Sequence, residues 1–312
     1  KHITIPVDDT YKMDIKKLKQ KITKNTIMIV ASAPAFPEGI IDDIETIATI
    51  AKSYNIPCHV DACLGGFLLP FAKDINLDIP SYDFTVKGIT SISADFHKYG
   101  MSEKGHSAIM FLDFDNYGKY STFIDLNSSI GMYVSLGLEG SRPARIDAWA
   151  TMLKVGKETY INNLKKMVNM KREIVKGVKS IVGIEVSGKP LLPIFAIRSV
   201  GDSINIMLIA SKMKEKNWII NGLPDPPGFH FCITPVHISN KTFVEDFIRD
   251  LEWSTKYAKN NINEKPSGQL GMYDTIRDKL PNNRLKKFIL EDIGHSYLNI
   301  ISSAKQKYPI LE

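Results

Sequence analysis

Two short segments carry residue types able to do covalent chemistry: His59-Val60-Asp61-Ala62, and the later run Ser91–Gly105, in which Lys98 stands between His97 and Tyr99-Gly100. A lysine amine condenses with an aldehyde once it has lost its proton, and an apolar seat or a neighbouring cation favours that loss by making the charged form harder to solvate. A carboxylate beneath a pyridine ring keeps a proton on the ring nitrogen, so that the ring can accept electrons from a developing carbanion. Lys98 as a Schiff-base amine and Asp61 as the carboxylate are together what a pyridoxal 5'-phosphate site needs. Each residue type is common, and singly Asp61 also reads as a helix N-cap and Lys98 as a solvated surface residue. The assignment rests on the two segments jointly and on their order: Asp61 ends one apolar run, and Lys98 follows a second.

The surrounding pattern predicts elements that bring the two together. Thr26–Ala31 is a β-rich apolar run short enough for a buried parallel strand. Two prolines and a glycine in Ser32–Gly39 suit a strand-to-helix loop, and Ile40, Ile41, Ile44, Ile47, Ala48 and Ala51 recur on one helix face. The strand ending in Asp61 follows, giving a βαβ unit and a mostly parallel sheet wound with helices. Ligand crevices in such sheets lie at the carboxyl ends of the strands. Ser32, Asp61 and Lys98 fall there, which makes Ser32 a further candidate for cofactor contact. The strand Ser91–Asp95 delivers His97 and Lys98; His97 is either a donor to the cofactor phosphate or a structural histidine. Lys104, in the loop before a strand at Ser107–Leu112, is a second cation near Lys98 and, facing the pocket, would keep it neutral. Gly65-Gly66 reads as a close backbone approach, to cofactor, partner subunit or simply the core.

Beyond an irregular Asp113–Leu138 region, one long helix is predicted from Arg145 to about Lys179, with Arg142 just before it as a phosphate or carboxylate ligand or a structural tie. Strands at Pro193–Arg198 and Phe229–Thr234, helices at Ser203–Lys216 and Lys241–Lys259, and a rigid turn at Leu223–Gly228 predict a small α+β domain. The expected division is residues 1–146 as part of a large cofactor-binding domain, 147–181 as a connecting helix and 182–312 as the small domain. The 312 residues are 44% hydrophobic and 24% charged, the composition of an ordinary globular protein. A net charge of +6 is spread along Lys-rich helix faces without interleaved aromatics, so nucleic acid is not expected as a partner. Cys58, Cys63 and Cys232 have neither disulfide nor metal-site spacing, so no metal is expected and the expected compartment is the reducing cytoplasm. No apolar run reaches the ~18 residues of a membrane helix, and membrane contact, including a place on the cytosolic face of the endoplasmic reticulum, is expected only through a segment outside these residues.

The sequence resembles the sphingosine-1-phosphate lyases, within the group II decarboxylase-like pyridoxal-phosphate enzymes of aspartate-aminotransferase fold (fold type I). The resemblance is carried by Asn25–Val30, Ser32-Ala33-Pro34 with Phe36-Pro37, Gly39–Asp42, His59–Phe67, Val86-Lys87-Gly88, Ser91–Asp95, His97–Gly100, Lys104-Gly105 and Gly140–Pro143, in family order. It implies an aldehyde-lyase of the sphinganine-1-phosphate aldolase type. Such an enzyme cleaves sphingosine 1-phosphate or a related phosphorylated sphingoid base to a fatty aldehyde and phosphoethanolamine. An amino-acid decarboxylase is the alternative enzyme, and an inactive fragment or dimer partner the alternative outside catalysis. The resemblance further implies a homodimer, a substrate-phosphate role for Lys104, and a lid near Gly268–Tyr273, where Leu270 replaces the family's aromatic. It places the glycine-rich turn that cups the cofactor phosphate ahead of Thr26, where no such motif occurs. The expectation is therefore a large domain incomplete at its N-terminus, an uncovered sheet edge near Thr26, and a chain not active by itself.

Overall fold

The structure is a computed structural model that describes residues 2–113, 115–116, 122–125, 132–135, 142–201, 204–224 and 226–268. Its first half is a four-stranded sheet, β1 (Ile29–Ser32), β2 (Cys58–Asp61), β3 (Ile89–Asp95) and β4 (Ser107–Phe111), in that spatial order. The first three strands are parallel and β4 runs antiparallel to β3, so the sheet is mostly parallel with one reversed strand. Two helices accompany it, α1 (Ile15–Lys21) and α2 (Ile44–Ser53).

Both helices start on an aspartate that accepts a backbone N–H of the first turn: Asp14 from Lys17 and Asp43 from Thr46. Such a cap stabilises a helix by about 1 kcal/mol. In α2 the residues Ile44, Ile47, Ala48 and Ala51 are fully buried, the spacing that turns one helix face onto a sheet. Ile40 and Ile41 are also buried but precede the helix, because Asp42 and Asp43 stop it from starting earlier. Asp42 is itself a buried brace: its carboxylate accepts the N–H of Ser32 at 2.8 Å and of Met13 at 2.7 Å, fixing the end of β1. Strand β1 is an edge among the described residues, with Val30 and Ile27 exposed.

The hairpin β5 (Thr122–Asp125) and β6 (Met132–Ser135) lies within the stretch expected to be irregular. Two helices follow, α3 (Arg142–Val155) and α4 (Lys157–Ser180). The sequence pattern predicts one helix here. Gly156 divides it, its φ of +74° placing the backbone where a helix cannot continue. The remaining strands, β7 (Ile184–Val186), β8 (Ile194–Ser199), β9 (Asn221–Pro224) and β10 (Pro227–Cys232), form an antiparallel sheet in the order β7-β8-β10-β9. The proline-rich turn links β9 to β10, and α5 (Ile206–Glu215) and α6 (Phe243–Asn260) belong to this layer. Its core centres on Phe195, Phe229 and Phe247.

Contacts between the halves include two at the Lys98 turn. The Tyr99 hydroxyl donates to the Ile233 carbonyl at 3.0 Å, and the Tyr160 hydroxyl of α4 donates to the Gly100 carbonyl at 2.9 Å. On the other flank the buried Arg198 guanidinium meets Glu38 at 2.6 Å and donates to Ser187 and to the Pro226 and Pro227 carbonyls. The loop after β1 is thereby tied to the second sheet. Gly39, with φ +69°, lets that loop run against the Ile194 backbone, where any side chain would collide. No helix among the described residues is long and apolar enough to cross a membrane.

Candidate active site

Parallel pairing puts Ser32, Asp61 and Ser93 opposite one another across three strands at the carboxyl edge of the sheet. Asp61 ends β2, and its Oδ1 accepts the Cys63 N–H at 3.0 Å and the Ser93 hydroxyl at 3.1 Å. Burial acts to raise its pKa, but these donors, the Cys63 thiol and the neighbouring His59 outweigh it and hold the carboxyl below its ordinary value. Asp61 is thus an ionised carboxylate at a strand end.

Lys98 lies three residues beyond β3, in a run of turns. Its Nζ is 2.9 Å from Asp95 Oδ2, and the side chain is 30% exposed. Burial acts to lower its pKa; hydrogen bonding with the Cys63 thiol and the Asp95 carboxylate acts the other way and prevails, so the ammonium is held above its ordinary value. The sequence argument expects the opposite, a lysine kept neutral by Lys104. The difference comes from two residues that argument did not use, Cys63 and Asp95; Lys104 is exposed. Burial pushes the Cys63 thiol up, with Lys98 opposing this and Asp61 adding to it, so the thiol feels both the amine and the carboxylate.

The other candidates are placed as follows. Ser32 has its backbone pinned by Asp42, with its side chain half-buried in register with Asp61. His97 donates from Nδ1 to the His106 carbonyl at 2.8 Å, and its Nε2 is 3.8 Å from Asp95 Oδ2. The Lys104 loop is anchored to α3 by Asp147, which pairs with His106 at 2.9 Å and accepts the Glu103 N–H at 3.3 Å. Arg142 is the first residue of α3, and its side chain lies outside the described residues, as do Gly140, Ser141 and the lid residues from 269 onward. Gly65 packs on the Ala33 carbonyl and Gly66 on Ala94, so within this chain the pair serves close packing.

Four residues near the site went unassigned in the sequence. Asp95 and Cys63 are ordinary residues of the two motifs and gain meaning only from the turn geometry. His59 and Ser93 had a readable signal, since His59 lies two residues from Asp61 and Ser93 two from Ser91, the strand period that puts side chains on one face. His59 Nδ1 is 2.8 Å from Ser91 Oγ and its Nε2 is 3.2 Å from Ser93 Oγ. A separate cavity of about 400 Å³ lies at the opposite, amino-terminal ends of β2 and β3, lined by residues such as Lys52, Pro57, Lys87 and Ile89, away from Asp61 and Lys98.

The amine and the ionised carboxylate, at the carboxyl ends of adjoining strands, are a donor set that fits pyridoxal 5'-phosphate. The chain is 38% identical over 288 residues to a sphingosine-1-phosphate lyase of Arabidopsis thaliana, covering 92% of this chain and 52% of that protein. It is 38% identical over 264 residues to sphingosine-1-phosphate lyase 1 of Rattus norvegicus, covering 84% and 46%. The chain therefore spans about half the length of these curated relatives. Among solved structures, a sphingosine-1-phosphate lyase of Burkholderia pseudomallei superposes with a TM-score of 0.75 at 30% identity, covering 89% of this chain and 62% of that one. A glutamate decarboxylase of Lactobacillus brevis, at TM-score 0.67 and 19% identity over 82% of this chain and 60% of that one, shares the fold. Residues 1–198 match the pyridoxal-dependent decarboxylase conserved domain, and the chain belongs to that family.

Proposed function

We propose that this chain carries the lysine and aspartate of a pyridoxal-phosphate-dependent carbon–carbon lyase. Its substrate would be sphingosine 1-phosphate or a related phosphorylated sphingoid base, and its products a fatty aldehyde and phosphoethanolamine. The observation that supports this reading is an ionised Asp61 at the end of β2, with Lys98 in the turn that follows the adjoining β3, in a chain 38% identical to proteins named as such lyases. When bound, pyridoxal 5'-phosphate supplies an aldehyde that takes up an amine and a ring that withdraws electrons from a bond to the amine-bearing carbon.

Lys98 is the residue to hold that aldehyde. It must first give up the proton that Asp95 and Cys63 now retain. Asp61 keeps a proton on the ring nitrogen, and this role calls for the lowered pKa found here. His97 Nε2 and Ser32 are the further cofactor contacts in this reading, and Lys104 and Arg142 the cations for the substrate phosphate. A homodimer and a cytoplasmic site of action belong to the same proposal; the three free cysteines support the second.

Amino-acid decarboxylation is the second reading, favoured by the description of the matched family. It uses the same Lys98 and Asp61 but needs a seat for a carboxylate instead of a phosphate. Product analysis separates the two. In a longer protein that carries this chain together with the turn for the cofactor phosphate, given pyridoxal 5'-phosphate and a phosphorylated sphingoid base, the lyase reading expects release of long-chain aldehyde, lost in Lys98→Ala. Carbon dioxide release from an amino acid, with no aldehyde from the sphingoid base, would instead establish the decarboxylase.

A further inference from the structure

We infer that His59 and Ser93 are positioning residues for Asp61, linked with Ser91 in a hydrogen-bond chain that runs in one direction only. The inference deepens the role of Asp61 proposed above and rests on that reading. Its direction follows from donor and acceptor counting. An ionised carboxylate can only accept, so the Ser93 hydroxyl, 3.1 Å from Asp61 Oδ1, must spend its single hydrogen there. Ser93 Oγ can then only accept from His59 Nε2 at 3.2 Å, which requires that nitrogen to carry the hydrogen. Burial lowers the His59 pKa, with the Asp61 charge opposing, so the ring is neutral and its Nδ1 bears a lone pair. That lone pair accepts the hydroxyl hydrogen of buried Ser91 at 2.8 Å. Ser91, His59, Ser93 and Asp61 therefore form one ordered chain of three hydrogen bonds across β2 and β3.

The chain acts on the carboxylate in two ways. It delivers a hydroxyl donor to Oδ1 besides the Cys63 N–H, which favours the ionised form. It also fixes the carboxylate plane, because both these donors fall on one oxygen and neither engages the other. His59 acts on Asp61 by charge when its ring is protonated and, when the ring is neutral, through Ser93.

The test uses the 312-residue chain without cofactor, with its histidine rings and aspartate carboxyl groups followed by NMR across pH. His59 is expected to hold its hydrogen on Nε2. Asp61 is expected to titrate below an ordinary aspartate, rising by about one pH unit in Ser93→Ala, the scale of a lost hydrogen bond to a charged group. Ser93→Thr retains the hydroxyl and should restore the parent value, whereas Ser91→Ala should let His59 populate the other tautomer. A hydrogen on Nδ1 in the parent chain, or an Asp61 titration unmoved in a folded Ser93→Ala, overturns the inference. The assignment of Asp61 to the ring nitrogen fails separately: cofactor bound to Asp61→Asn would then show the same ring-nitrogen titration as in the parent.

Discussion

His230 gives the fold a built-in sensitivity to acid. The residue lies on β10, is 1% exposed, and its Nε2 has no hydrogen-bond partner. Its Nδ1 has only the Cys232 sulfur at 3.9 Å, and the ring meets Phe36 edge-on at 4.2 Å. Burial pushes its pKa down to about 4 from 6.5. In the unfolded chain this histidine takes up a proton as the pH falls through 6.5, while in the native chain it does so only near 4. The unfolded state therefore binds more protons across that window, and stability falls as the pH is lowered through it. A gap of ~2.5 between the two values, at ~1.4 kcal/mol per unit, amounts to ~3.5 kcal/mol, of which ~3 kcal/mol is lost by about pH 4 and the rest below it. The assay is urea unfolding of the parent and of His230→Phe between about pH 7 and pH 4. Other groups titrate in both proteins, so the quantity read is the difference between them. At neutral pH the variant should match or exceed the parent, since no hydrogen bond to Nε2 is lost. On acidification it should lose ~3 kcal/mol less. Equal acid losses in the two proteins would refute the argument.

Other substitutions probe the ties around the site. Arg198→Ala leaves Glu38, 12% exposed, without its buried partner and should cost about 3–5 kcal/mol, read from the same unfolding curves. Arg198→Lys should recover only part of this, since an ammonium cannot reproduce the fork that reaches Glu38, Ser187 and two carbonyls at once. Tyr160→Phe removes one hydrogen bond to the Gly100 carbonyl and should cost about 1 kcal/mol. Its ring stacking on Phe71 is retained, and amide exchange should quicken locally in the Lys98 turn.

Much of the parallel-sheet framework was legible in the sequence, because its determinants are local. The apolar face Ile44, Ile47, Ala48, Ala51 and the short runs ending at Ser32 and Asp61 state a βαβ unit directly, and with it the strand ends where Ser32 and Asp61 stand. The unbroken helix was not legible as two, because one glycine among helix formers reads as a tolerated defect until its φ is known. The hairpin β5–β6 escaped notice for a similar reason: two four-residue strands are too short for a clear alternation. At the site, residue types pointed to Lys98 and Asp61, but the protonation of Lys98 depends on where Asp95 and Cys63 come to rest around a turn. Spacing along the chain does not contain that information. The His59 chain is an intermediate case. Alternation put His59 with Asp61 and Ser91 with Ser93 on common strand faces, and only the register of β2 against β3 brings the two pairs together.

The central claim is that Lys98 is the amine that takes the cofactor aldehyde, and its most direct measurement is the site of covalent capture. The chain is incubated with excess pyridoxal 5'-phosphate, reduced with borohydride and digested, and the pyridoxyl-bearing peptide is sequenced. The account predicts one dominant label on Lys98, abolished in Lys98→Ala while the variant stays folded, since a partly exposed side chain is not needed by the core. A dominant label on another lysine, or labelling undiminished in Lys98→Ala, would contradict it.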